Sequence, residues 1–230
     1  MQYIIFFIVA TTFSVLINGL FLKFSRTMGT KNNPGETEIR WGSTSKPAFG
    51  GISFYIVFLL SFAVYAIIFA SSDIPLEFFG VLIACSIGFL IGLADDAYNT
   101  KPILKFSGQF AAAFALIVTN NYITLFESNI LNYCLTFLWV IGMMNSINML
   151  DNMDGVTTSV SIGVISTALF TLVLTNNLNH IYFWVLLGTF AALLGFLYYN
   201  WNPSRMYMGD TGSQFLGALL AALGIYFFWN

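Results

Sequence analysis

The chain has 230 residues, of which 58% are hydrophobic, 18% aromatic and only 8% charged, with a net charge of −2 and a mean hydropathy of +0.81. A soluble domain carries roughly 25% charged residues, and no globular core of this size hides so much Phe, Leu and Ile, so lipid is the natural solvent. Basic residues occur only in short loops, and a nucleic-acid partner is not expected.

Eight apolar segments follow in order, at 3–22, 49–70, 78–94, 103–119, 130–147, 156–175, 181–199 and 213–229. Each approaches the roughly 17–25 apolar residues that a helix needs to cross a bilayer. The sequence therefore predicts an all-α polytopic membrane protein with about eight transmembrane helices, organised as one domain over 1–230. The first segment has no basic leader and no small-residue cleavage site, and its positive charges, Lys23 and Arg26, come after it. It reads as a retained span with the N-terminus outside. Cys85 and Cys134 lie in apolar spans and read as small hydrophobes, without disulfide or metal spacing.

The charges sort by loop. Loop one holds Lys23, Arg26, Lys31, Arg40 and Lys46, loop three holds Lys101 and Lys105, and loop seven holds Arg205. Those are all eight basic residues, and none falls in an even-numbered loop. The positive-inside rule then places the odd loops in the cytoplasm and both termini outside, with the active face cytoplasmic. The only histidine, His180, falls in an even loop, which removes it from any chemistry on that face.

The odd loops carry the polar motifs. In loop one, Pro47 fixes the entry to the second span and Gly50-Gly51 permits tight helix packing. Loop three opens on Asp95-Asp96, with Lys101 and Lys105 beyond. Adjacent carboxylates beside a membrane span resist ionising together unless a cation or donors compensate. An isolated Asp-Asp pair is equally well read as two solvated interfacial acids. Loop five runs Asn145, Asn148, Asp151 and Asp154 at three-residue spacing, which on a helix drifts slowly around one face. It contains no basic residue, so a divalent cation or a cation from another loop is implied. The alternative is a polar helix end closed by an Asp-Gly turn. In loop seven, Gly209 and Gly212 flank Asp210 and Thr211 just before the last span. Free N–H groups at a helix start attract phosphate, and an acid beside them points to a metal that carries the phosphate. A simple turn before a helix explains Gly-Asp-x-Gly-Ser as well.

Together these segments resemble the polyprenyl-phosphate N-acetylhexosamine-1-phosphate transferase superfamily. The resemblance rests on Pro47 to Gly51, on Asp95-Asp96 with Lys105, Gly108 and Gln109, on Asn145 to Gly155, and on Met208 to Ser213. It implies transfer of a sugar-1-phosphate from a UDP-N-acetylhexosamine to undecaprenyl phosphate, with release of UMP, in a bacterial cytoplasmic membrane. It also implies Mg²⁺, with Mn²⁺ as a substitute. By resemblance, Asp210 and Asp151 are metal ligands, and Asp95 and Asp96 deprotonate or position the lipid phosphate. Asp151 and Asp154 serve catalysis and the nucleotide sugar. Asn148 and Asn200 are nucleotide-site amides, and Tyr207 sits beside uracil. Lys105, with Lys46 or Arg205, pairs with phosphate oxygens. A homodimer is compatible with this reading.

The chain departs from the family pattern at Asn152, where Gly is usual, at Val156, where Leu is usual, and at Asn99, where some members have a third Asp. Many members continue past the eighth span into further spans and a loop with His or Arg residues. The chain thus reads as a fragment or as a short member with a reduced sugar site, and an impaired relative acting as an assembly partner is the second expectation. A His-rich late loop is expected of the peptidoglycan translocase subtype, so a simple UDP-N-acetylhexosamine donor is preferred. An ion-coupled transporter would place its acids near the midplane and show inverted repeats, whereas these acids cluster at span ends.

Overall fold

The computed structural model describes residues 1–27, 46–69 and 74–229, with the side chains of 25–27 excepted. Lys31, Arg40 and the side chain of Arg26 lie outside the described residues, as do residues 70–73 around the second loop. The described residues form α1 (Gln2–Thr27), α2 (Gly50–Ile68), α3 (Leu76–Tyr98), α4 (Pro102–Val118), α5 (Asn129–Leu150), α6 (Val156–Leu174), α7 (Ile181–Asn200) and α8 (Gly209–Gly224). A π-helical turn, Ile225–Trp229, follows α8. Seven of these helices are long and apolar enough to cross a membrane, while α4 is a shorter apolar helix. The fold is that of an all-helical polytopic membrane protein.

Several helix ends overrun the predicted spans, and two of them carry the motif acids. α3 continues past residue 94 to Tyr98 and takes Asp95 and Asp96 with it. It stops where Asn99 adopts φ 49°, a left-handed conformation that Asn tolerates, and the Asn99 N–H donates to the Asp95 carbonyl at 2.8 Å. α8 begins at Gly209, four residues before the predicted start at 213, so Asp210 lies in its first turn and not in a loop.

α8 is the central helix. It packs against α2, α3, α5 and α6, and residues 211–225 are buried at every position. Membrane helices gain little from hydrophobicity when they pack on one another, so close contact depends on small residues. A Cβ at Gly51 of α2 would collide with the Gly212 backbone, and one at Gly217 would lie 2.6 Å from the Met144 Cα of α5. α1 lies at the edge, tied to α7 by Ser14 Oγ donating to the Ala192 carbonyl at 2.7 Å and by Tyr199 OH donating to the Val15 carbonyl at 2.9 Å.

The helices alternate in direction. One end of the bundle gathers the C-termini of α1, α3, α5 and α7 with the starts of α2, α4, α6 and α8. Lys23, Lys46, Lys101, Lys105 and Arg205 all lie at this end. The other end is aromatic: Tyr3 OH donates to Asn179 Oδ1 at 2.8 Å, and His180 stacks parallel to Tyr182 with ring centroids 5.5 Å apart. His180 and the acids of the motifs therefore sit at opposite ends.

Candidate active site

Four helices bring one polar cluster together. Lys105, in the first turn of α4, donates to Asp210 Oδ2 of α8 at 2.5 Å, Asn148 Oδ1 of α5 at 3.2 Å and Asp95 Oδ2 of α3 at 3.3 Å. An ammonium has three protons, and all three are in use. Asn148 Nδ2 in turn donates to Asp210 Oδ1 and Ser213 Oγ, each at 2.8 Å. Asp95 Oδ1 accepts the Thr100 N–H at 2.9 Å and the Thr100 hydroxyl at 2.5 Å. Asp210 is thus not an uncompensated acid, as its sequence neighbours suggest. Its cation comes from 105 residues away along the chain.

Asp96 takes a different place from Asp95. Its Oδ1 accepts the Asp210 N–H at 2.9 Å, and its Oδ2 accepts the Thr211 N–H at 2.9 Å and the Thr211 hydroxyl at 2.6 Å. The helix-start N–H groups expected to be free for phosphate are therefore satisfied by a carboxylate from α3.

The predicted stripe in loop five divides. Asn145 and Asn148 lie on α5, but the helix ends at Leu150, so the three-residue spacing no longer holds one face beyond Asp151. Asp151 stays with the first cluster. Removal from water pushes its carboxyl up to about 8, and the negative charges of Asp210 and Asp96 push the same way. Asp154 turns instead to the α7–α8 connection. Its Oδ2 accepts the Ser204 N–H at 2.9 Å and its Oδ1 accepts the Ser204 hydroxyl at 2.7 Å. Those bonds, and then the charge of Lys46 at 3.8 Å, hold the Asp154 carboxyl below the ordinary carboxylate range.

This makes a second cluster at the same end. Lys46 Nζ also donates to Ser204 Oγ at 3.0 Å and stands 5.0 Å above the Tyr207 ring. Backbone bonds fix the arrangement: the Tyr207 N–H donates to the Pro47 carbonyl at 3.0 Å, and the Gly50 N–H returns to the Tyr207 carbonyl at 3.1 Å. Asn200 joins neither cluster. It is 2% exposed, accepts from the Thr158 hydroxyl at 2.7 Å and donates to the Met206 carbonyl at 3.1 Å. Its amide holds the loop from inside and does not reach the open end. Arg205 lies over the Tyr198 and Tyr199 rings, 4.7 and 5.1 Å from their centroids, away from both clusters.

A layer of amides, with Gln109 and Gln214 buried, supports the first cluster. Gln109 Nε2 donates to Asn145 Oδ1 and Gln214 Oε1, both at 3.1 Å, and Asn145 Nδ2 donates back to Gln109 Oε1 at 2.9 Å. Gln214, Thr100, Thr211 and Ser204 are not among the site residues that the sequence predicts. For Gln214 the signal exists, since an amide inside an apolar span demands a partner. For the hydroxyls there is none, because Ser and Thr are ordinary in such loops. Among the described residues no three His, Cys, Asp or Glu side chains form a ready-made metal site.

Comparison with known proteins gives a consistent result. The glycosyl transferase family 4 profile matches residues 78–228, from α3 to the π-helical turn. The chain is 28% identical, over 97% of its own length and 63% of the relative's, to a Bacillus subtilis protein named "Probable undecaprenyl-phosphate N-acetylglucosaminyl 1-phosphate transferase". It is 29% identical to a phospho-N-acetylmuramoyl-pentapeptide-transferase of Staphylococcus carnosus, over 79% of this chain and 62% of that one. A Staphylococcus aureus protein of the same name is 32% identical over the same shares. The chain spans 62–63% of the length of these relatives.

Proposed function

The chain belongs to glycosyl transferase family 4, and from that premise we propose a membrane transferase that moves N-acetylhexosamine-1-phosphate from a UDP-sugar to undecaprenyl phosphate. The product UMP leaves, and the lipid-linked sugar starts a cell-envelope polysaccharide at the bacterial cytoplasmic membrane. The observation that carries this reading is Lys105 held between Asp95 and Asp210 at the meeting point of four helix ends. A cation and acids fixed at the end of membrane spans suit two phosphate-bearing substrates, one of them anchored in lipid.

In the transfer, an oxygen of the lipid phosphate forms a bond to the sugar-bearing phosphorus. The bond from that phosphorus to the UMP oxygen breaks, and UMP carries away the electron pair. The lipid phosphate is already anionic, so positioning matters more than a strong base. Asp95, locked by Thr100, steers Lys105, and Lys105 exchanges one of its three acceptors for a phosphate oxygen. Asp154, Lys46 and the free face of Tyr207 receive the nucleoside end of the donor.

Mg²⁺ fits the first cluster through Asp210 and Asp151. This ion takes one or two carboxylates and completes its shell with water and substrate phosphate, so a three-acid cage is not required. Burial raises the Asp151 carboxyl first and the negative charges of Asp210 and Asp96 raise it further, and a bound cation would offset both. When bound, the ion neutralises the donor pyrophosphate and the departing UMP. The test is purified protein with undecaprenyl phosphate and a panel of UDP-sugars, scoring UMP. Release that needs both substrates and stops with EDTA is the expected result. No release from any UDP-sugar would overturn the reading.

A further inference from the structure

Asp96 and Asp95 are adjacent in sequence, yet the geometry separates their work: we infer that Asp96 is a positioning residue that holds Asp210 in place by capping α8 from α3. The inference rests on the transferase reading and reassigns one of its acids.

The start of α8 has no cap of its own. Met208 occupies the cap position and provides no side-chain hydrogen bond, although the first N–H groups of any helix need acceptors. Asp96 supplies three bonds there, to the N–H groups of Asp210 and Thr211 and to the Thr211 hydroxyl. Two glycines allow the approach. Gly92, one turn before Asp96 on α3, faces α8 so closely that a Cβ would lie 2.6 Å from the Thr211 Cα. Gly209 has φ +73°, which suits glycine, and a Cβ on it would sit 2.6 Å from Asp96 Oδ2. The Asp210 N–H anchored by Asp96 belongs to the same residue whose carboxylate meets Lys105 and Asn148. A shift of that backbone displaces the carboxylate from both.

A residue that handled the lipid phosphate directly and a residue that acts through Asp210 have different signatures. In the positioning role, Asp96→Asn raises the Mg²⁺ needed for half-maximal UMP release by about tenfold and leaves the KM for undecaprenyl phosphate within about twofold. Thr211→Val shifts the Mg²⁺ requirement the same way by less, and Thr211→Ser, which keeps the hydroxyl, restores it. A second readout needs no turnover. Thermal unfolding in detergent should show losses in Tm from Asp96→Asn and Thr211→Val that are less than additive in the double variant, since both break one shared contact. Additive Tm losses would overturn the capping contact. An unchanged Mg²⁺ requirement with a lipid KM raised about tenfold would return Asp96 to the lipid phosphate. Wild-type protein that releases no UMP sinks the transferase reading instead, and the Tm cycle still tests the cap.

Discussion

The two polar clusters share one end of the bundle but are built differently. The Lys105 cluster hangs on α3, α4, α5 and α8, elements fixed by helix packing, and its ammonium donates to three acceptors. The Lys46 cluster draws on the segment before α2, the turn between α5 and α6 and the connection between α7 and α8. Its ion pair is longer, at 3.8 Å against 2.5 Å for Lys105 and Asp210. A charge network on packed helices resists rearrangement, whereas one on loops yields at small cost. On the transferase reading proposed above, the rigid cluster would serve the reacting phosphates and the looser one a donor that must enter and leave.

The sharpest way to break this contrast is at the two lysines. Lys105→Met leaves Asp95 and Asp210 facing each other without their cation, and UMP release should fall by at least about a hundredfold, the scale of losing a main electrostatic stabiliser. Lys105→Arg should not rescue it, because a planar fork cannot meet three acceptors arranged around a point charge. Steady-state kinetics of both variants check this, and near-normal turnover in Lys105→Met would dissolve the distinction. Next comes pH. Asp151 holds its proton more tightly folded than unfolded, so without a divalent cation stability falls as pH rises from the ordinary carboxylate range to about 8, then levels off. Mg²⁺ must displace that proton, so its affinity should rise about tenfold per pH unit below pH 8. Melting curves at pH 5 to 9, with Mg²⁺ and with EDTA, measure both trends, and Asp151→Asn should flatten them. The smallest effects belong to the loop cluster. Lys46→Ala removes a part-exposed ion pair worth at most about 1 kcal/mol, so the KM for UDP-sugar should rise no more than about fivefold. Tyr207→Phe keeps the ring and should stay within about twofold. A donor titration decides, and losses matching those at Lys105 would put both clusters on an equal footing.

The spans were legible because lipid imposes a length and the loops a charge pattern. All seven long helices and the shorter α4 fall on predicted segments. Asp95, Lys105, Asn148, Asp151 and Asp210 stood out as polar groups at apolar span ends, and the fold brings them to one place. What failed to show was which neighbour belongs to which cluster. Asp95 and Asp96 point to different partners because successive helical residues diverge by about 100°. Asp154 leaves the stripe because α5 stops at Leu150, and periodicity carries no information past the end of a helix. Asn200 turns inward to bond Thr158 and Met206, a contact across 42 residues in one case that no local pattern encodes.

The central place of α8 has a consequence for how the protein is made. A ribosome delivers α2, α3, α5 and α6 to the membrane before α8 emerges, yet each of them packs against it. Until then Asp96 has no helix to cap, Lys105 lacks the Asp210 carboxylate, and Gly51 of α2 and Gly88 and Gly92 of α3 lack the backbone they pack against. Without α8 the surfaces that these helices turn toward it have no partner there, and the polar cluster is complete only when that helix is in place. Lys105 and the Asp210 carboxylate are thus joined only once α8 has followed the seven earlier helices into the bundle.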